Sequence, residues 1–139
     1  MQDGDDCEIY NNVIFDNDYG IRLQFGVATD NCKIINNTVF SNNGDGVDIS
    51  ASETNVTLRN NIVYGNSPNI NDSSSGGDKG NNLTTDPTFV NEGTRDLHIQ
   101  SSSAAKNTGQ TRAEVTDDYD GLSRPQGSAY DIGAYEFDE

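Results

Sequence analysis

The chain has 139 residues, with 23 acidic against 8 basic side chains and a formal net charge of −15. That length supplies one core and not two, and a sequence pI near 4.1 excludes sequence-independent nucleic-acid binding, which needs Lys and Arg to displace phosphate counterions. With 32% hydrophobic residues and no apolar run near the ~20 of a membrane span, any fold must come from regular spacing, and membrane insertion is not expected.

The start, MQDGDDCEIYNN, has neither a basic nor an apolar targeting region, so an export signal is expected outside this chain. From Cys7 the sequence repeats. CEIYNNVIFDN begins at Cys7, CKIINNTVFSN at Cys32 and VTLRNNIVYGN at Val56, so the period is 24 to 25 residues. Within each unit apolar and polar residues alternate with period two, which predicts short strands and no helix. Stacked at ~4.8 Å, such units form a solenoid.

Each column of the stack has a physical reading. Ile9, Ile34 and Leu58 form one interior wall, and Ile14, Val39 and Val63 form a second. Ile21 and Leu23 over Val47 and Ile49 form a third, so three parallel sheets are expected. Asn12, Asn37 and Asn61 recur at one corner, and Asn17, Asn42 and Asn66 at the next. Asn tolerates left-handed backbone, and stacked amides hydrogen-bond between coils, so both columns read as asparagine ladders. Cys7 and Cys32 share an interior column. Their expected separation lies within disulfide range, but parallel side chains approach poorly, so two buried free thiols are expected.

The stretches INNTVFSNNGDGVDIS and LRNNIVYGN resemble the repeat of the right-handed parallel β-helix superfamily, which includes pectate lyases and many secreted bacterial proteins. NLTTDPTFVNEGTRDLHIQSSSAAKNTG and DDYDGLSRPQGSAYDIGAYEF are similar to the closing segment of bacterial β-helix proteins. The resemblance implies an all-β, right-handed parallel β-helix of about three coils with a C-terminal cap. It also implies an extracellular or cell-surface bacterial setting among polysaccharides, and no particular reaction. One domain spans 1–139, with repeats at 7–31, 32–55 and 56–86 and the closing segment at 87–139. The run 72–80, DSSSGGDKG, reads as a flexible excursion. Phe89, Val90, Leu97, Ile99, Ile132, Tyr135 and Phe137 are expected to cover the open lower end, pinned by an Arg124–Asp131 pair.

Candidate chemistry is sparse. His98 is the only histidine and lies in a strand between Leu97 and Ile99, facing outward. Asn43 to Asp48 gives N-x-D-G-V-D, which resembles a polygalacturonase motif, with Asp45 and Asp48 at the acid and base positions. The rest of that pattern is absent, and N-G-D-G is also ordinary turn chemistry. Outward columns place Glu8 beside Lys33, Tyr10 in line with Arg59, and Arg22 beside Asp48. The aromatic column Phe15, Phe40 and Tyr64 is also outward, offering rings to a sugar chain or packing beneath the closing segment. Tyr10, Phe15, Lys33, Phe40, Arg59 and Tyr64 are therefore the candidate carbohydrate contacts. Asp16, Asp18 and Asp45 are the candidate calcium ligands, with Asp117, Asp118 and Asp120 as a second acidic loop.

Three functions fit these residues. The first is a secreted, non-catalytic module that binds or displays toward polysaccharide. The second is part of a polysaccharide lyase or glycoside hydrolase, and the third a structural solenoid end. Self-association through the first coil is expected, since MQDGDD is too short and polar to cover its strand edges.

Overall fold

The computed structural model describes residues 6–24 and 30–138. Three residues of alternation followed by a corner give strands of three residues each. The first coil carries β1 (Glu8–Tyr10), β2 (Val13–Phe15) and β3 (Ile21–Leu23). The second carries β4 (Lys33–Ile35), β5 (Thr38–Phe40) and β6 (Val47–Ile49), and the third β7 (Thr57–Arg59), β8 (Ile62–Tyr64) and β9 (Ile70–Asp72). All pair in parallel, as sheets β2-β5-β8 and β3-β6-β9 and a first sheet β1-β4-β7 that gains β10 (Lys79–Gly80). The register matches the repeat: Ile9 opposes Ile34 and Ile34 opposes Leu58, while Ile14, Val39 and Val63 stack likewise. These side chains, with Ile21, Val47, Ile49 and Val56, form the interior of the coil.

The run 72–80 is no loose excursion. Its Lys79 begins β10 opposite Leu58 and pairs with Asp72 at 2.8 Å, so it forms a corner leading into a fourth rung.

The paired asparagines divide the labour of the first corner. Asn11, Asn36, Asn60 and Asn81 take the left-handed backbone, with φ of 52° to 55°. Their neighbours form the inward ladder: Asn12 Nδ2 donates to Asn37 Oδ1 at 2.9 Å, Asn37 to Asn61 at 3.0 Å, and Asn61 to Asn82 at 2.9 Å. Asn17, Asn42, Asn66 and Asn69 continue this device at the second corner. Gly46 lets that corner close, since a Cβ there would lie 2.5 Å from Val63 Cγ1.

Cys7 and Cys32 are joined in a disulfide across a Cα separation of 4.5 Å, which corrects the expectation of free thiols. Neighbouring rungs bring the two Cα atoms close enough to bridge, and the parallel setting of the side chains does not prevent it. Closing a loop of 25 residues, the bond stabilises the first coil by about 3 kcal/mol on chain-entropy grounds.

The closing segment does not cap the lower end as expected. It lies alongside the second sheet. β11 (Phe89–Asn91), a 3₁₀ turn (Glu92–Thr94) and β12 (Asp96–Ile99) form an antiparallel hairpin. The outward side chains Phe40 and Ile62 are buried with Phe89, Leu97, Ile99, Ala105, Ile132, Ala134 and Tyr135, while Val90 is exposed. The outer asparagines bind the strap: Asn36 Nδ2 donates to the carbonyls of Asp131 and Gly133, Asn60 to Gln110, and Asn81 to Thr108. Gly133, at φ 102°, is required for this seat because a Cβ would meet Ile62 Cδ1 at 2.6 Å.

Arg124 pairs with Glu136 at 2.5 Å, both fully buried, and not with the Asp131 carboxylate as expected. Of Asp131, Arg124 reaches only the carbonyl, and the Asp131 carboxylate accepts the backbone N–H groups of Asn107 and Phe137. Burial lowers the Arg124 pKa and raises that of Glu136, and the opposite partner offsets part of each shift.

His98 holds the hairpin to the loop after Asp118. Nδ1 is 2.6 Å from Asp96, Nε2 is 2.8 Å from Asp120, and the ring lies against Tyr135 with centroids 4.0 Å apart. Desolvation opposes protonation of the imidazole, but the hydrogen bonds to Asp120 and Asp96 outweigh it and raise its pKa. A raised value stabilises the fold fully below the unfolded pKa of about 6.5, and this stability is lost as pH rises through the folded value. The melting-temperature gap between the native protein and His98→Gln should therefore be widest below pH 6 and narrow toward pH 9. A gap independent of pH would show that the imidazolium contributes nothing.

Candidate functional site

With the second sheet covered, the outer face of the third sheet is the surface on which the candidate acids meet. β3, β6 and β9 place Arg22 opposite Asp48 and Asp48 opposite Asn71, one residue per coil. Arg22 Nε donates to Asp48 Oδ2 at 3.0 Å, and Gln24 Nε2 donates to the same oxygen at 2.7 Å. Asn71 Nδ2 donates to Asp48 Oδ1 and to Asp45 Oδ2, each at 3.1 Å. The two carboxylates share one amide, so their nearest oxygens are separated by no more than twice that distance. That bound includes the ~5–5.5 Å at which the two carboxyls of retaining glycosidases stand. Asp48, however, is 2% exposed and accepts from three side chains, so it is held as a fixed acceptor.

Beside this row stands Tyr19, 43% exposed, with the Arg22 guanidinium 3.8 Å from its ring centroid. The ring sits over Gly44 of the next coil, where a Cβ would come within 2.9 Å of it. Thus the glycine of the N-G-D-G turn makes room for the aromatic ring, a signal the sequence carried and the repeat alignment did not use. Gln24 and Asn71 were also not foreseen. Asn71 follows from the column Arg22, Asp48 once β9 is placed.

The other candidates are dispersed. On the first sheet Lys33 Nζ donates to Glu8 at 3.1 Å, and Tyr10 is half-buried. Arg59 Nε donates to Asp78 at 2.7 Å, a carboxylate that also takes Arg112 Nη2 at 2.6 Å. The aromatic column is not open to a sugar chain along its length. Phe40, 5% exposed, lies beneath Phe89 at 5.4 Å, and Tyr64 stacks on it at 6.1 Å. Phe15 remains partly exposed, and Arg95 from the hairpin lies between it and Phe40, 6.0 and 5.3 Å from the two rings. The apolar outer face of β5 and β8 demanded cover, and the strap supplies it.

The acidic corner residues are likewise not gathered. Asp16 pairs with Arg95 at 2.6 Å, which holds its carboxyl below the usual range. Asp18 accepts from Asn43 at 3.3 Å, and Asp45 from Asn71. Among the described residues no group of three or more His, Cys, Asp or Glu side chains is arranged to hold a metal ion. Among the described residues, also, no helix is long and apolar enough to cross a membrane.

Comparison with known proteins agrees with the coil geometry. Residues 1–92 match the family model described as a right handed beta helix region. Neither curated proteins nor solved structures gave a significant match. The family match spans more than half of the sequence and covers all three coils with their parallel sheets, so the chain belongs to the right-handed β-helix family.

Proposed function

We propose that the protein is an extracellular, non-catalytic module that binds a neutral polysaccharide along the outer face of its third sheet. The observation that carries this reading is the row Arg22, Asp48, Asn71, which runs across three coils beside the exposed ring of Tyr19. Sugar chains present hydroxyls to the exposed members of this row, Arg22 and Asn71, which the buried Asp48 holds in place, and an apolar ring face to an aromatic side chain. Two further facts support it. The Cys7–Cys32 disulfide suits an oxidising compartment outside the cytosol, and a net charge of −15 repels polyanionic chains. Binding rather than hydrolysis fits Asp48, whose hydrogen bonds are already committed.

Electrophoresis through gels containing xylan, galactomannan or mixed-linkage glucan tests the reading. Retardation is expected in at least one gel, lost in Tyr19→Ala and absent with polygalacturonate. No new reducing ends should appear on incubation. Retardation that survives Tyr19→Ala, or none in any neutral gel, would overturn it. Release of reducing ends would favour a hydrolase.

A further inference from the structure

A second concave site lies on the closing segment and shares no residue with the third-sheet row. It is a cavity of about 340 Å³, within the range typical of small-ligand sites. Ile99, Leu122 and Phe137 supply its apolar lining, and Asp120 and Asp138 are the exposed carboxylates at its edge. His98 joins them, committed to Asp96 and Asp120, while Glu136 is neutralised by Arg124. The exposed ring of Tyr119 adjoins Asp120 and meets Tyr135 edge-on at 5.4 Å.

We propose that this cavity binds a protonated amino-sugar residue. Two carboxylates beside apolar walls select a ligand that combines an ammonium group with an apolar flank. A hexosamine has both: its ammonium offers three donors to Asp120 and Asp138, and its ring C–H face lies against Leu122, since the Phe137 ring already carries Lys106 Nζ at 4.1 Å from its centroid. A charge of −15 attracts polycationic chains to the surface, so a glucosamine polymer is the class of partner favoured. This site does not depend on the third-sheet reading.

Calorimetric titration with the glucosamine trimer tests the assignment, with the N-acetylglucosamine trimer and a trilysine peptide as controls. The native protein should bind the glucosamine trimer at least tenfold tighter than either control. Asp120→Asn with Asp138→Asn should weaken it tenfold or more, whereas Glu92→Gln with Glu114→Gln, which removes the same charge elsewhere on the exposed surface, should not. Because Asp120 also holds His98, Leu122→Trp provides a second arm: it fills the cavity, leaves every charge in place, and should abolish binding. Tyr19→Ala should retain it. Equal affinity for the acetylated trimer, equal affinity for trilysine, or equal loss in both charge pairs would overturn the proposal, as would full binding by Leu122→Trp.

Discussion

Arg124→Met should lower the unfolding free energy by about 3–5 kcal/mol, the largest effect expected of any single substitution here. The guanidinium and the Glu136 carboxylate are both fully buried, so removing one partner leaves the other charged and without its counter-ion. The loss reaches beyond the pair. Arg124 also donates to the carbonyl of Gly133 at 2.9 Å and to Asn11 Oδ1 at 3.1 Å, which ties the strap to the first coil. Glu136 accepts the backbone N–H groups of Asp131 and Gln126, fixing the turn before the DIGAYEF run. Arg124→Met combined with Glu136→Gln should recover part of the loss, because the glutamine is neutral and keeps an acceptor for Asp131. Urea denaturation of the native protein, Arg124→Met, Glu136→Gln and the double variant gives the coupling directly. A single Arg124→Met variant within 1 kcal/mol of the native protein would show that the strap is held by its apolar contacts alone.

Asn37→Ala should destabilise by about 3 kcal/mol, while Asn43→Ala should stay within about 0.5 kcal/mol. The two residues are six apart and chemically identical. Asn37 is fully buried, and its amide donates to Asn61 and to the carbonyls of Ile9 and Ile35. Its oxygen accepts both N–H groups of Asn12. Alanine would strand those groups in the interior. Asn43 is exposed, with one side-chain hydrogen bond of 3.3 Å to Asp18. At roughly 4 °C per kcal/mol for a chain of this size, the melting temperatures should separate by about 10 °C. Equal shifts would contradict the ladder.

The coil was legible because its chemistry repeats. Any column that recurs every 24 or 25 residues has one environment in all three coils, so Ile34, Asn37 and Val39 could be placed from their neighbours in the alignment. The closing segment has no repeat. Its hydrophobic residues announced that something would be covered, and the sequence offered two faces for them, the open lower end and the outward aromatic column of Phe40; the structure places them over Phe40 and Ile62. The same limit applies to Arg124: two acids, Asp131 and Glu136, lie within reach along the sequence, and the backbone of the turn decides between them. For the thiols, sequence placed Cys7 and Cys32 in one column correctly, and the side-chain torsions that join them lie beyond what a column can specify. In the site, Arg22 and Asp48 emerged from their shared column, whereas Tyr19 occupies a corner with no counterpart in the other coils.

Chemical-shift mapping during titration with the neutral oligosaccharide that is retained best tests the central claim most directly. The account predicts that perturbed amides cluster at 19–24, 45–49 and 71, the residues around Tyr19 and the Arg22, Asp48, Asn71 row. Perturbations confined to the first sheet around Lys33 and Arg59, or none at saturating ligand, would contradict it.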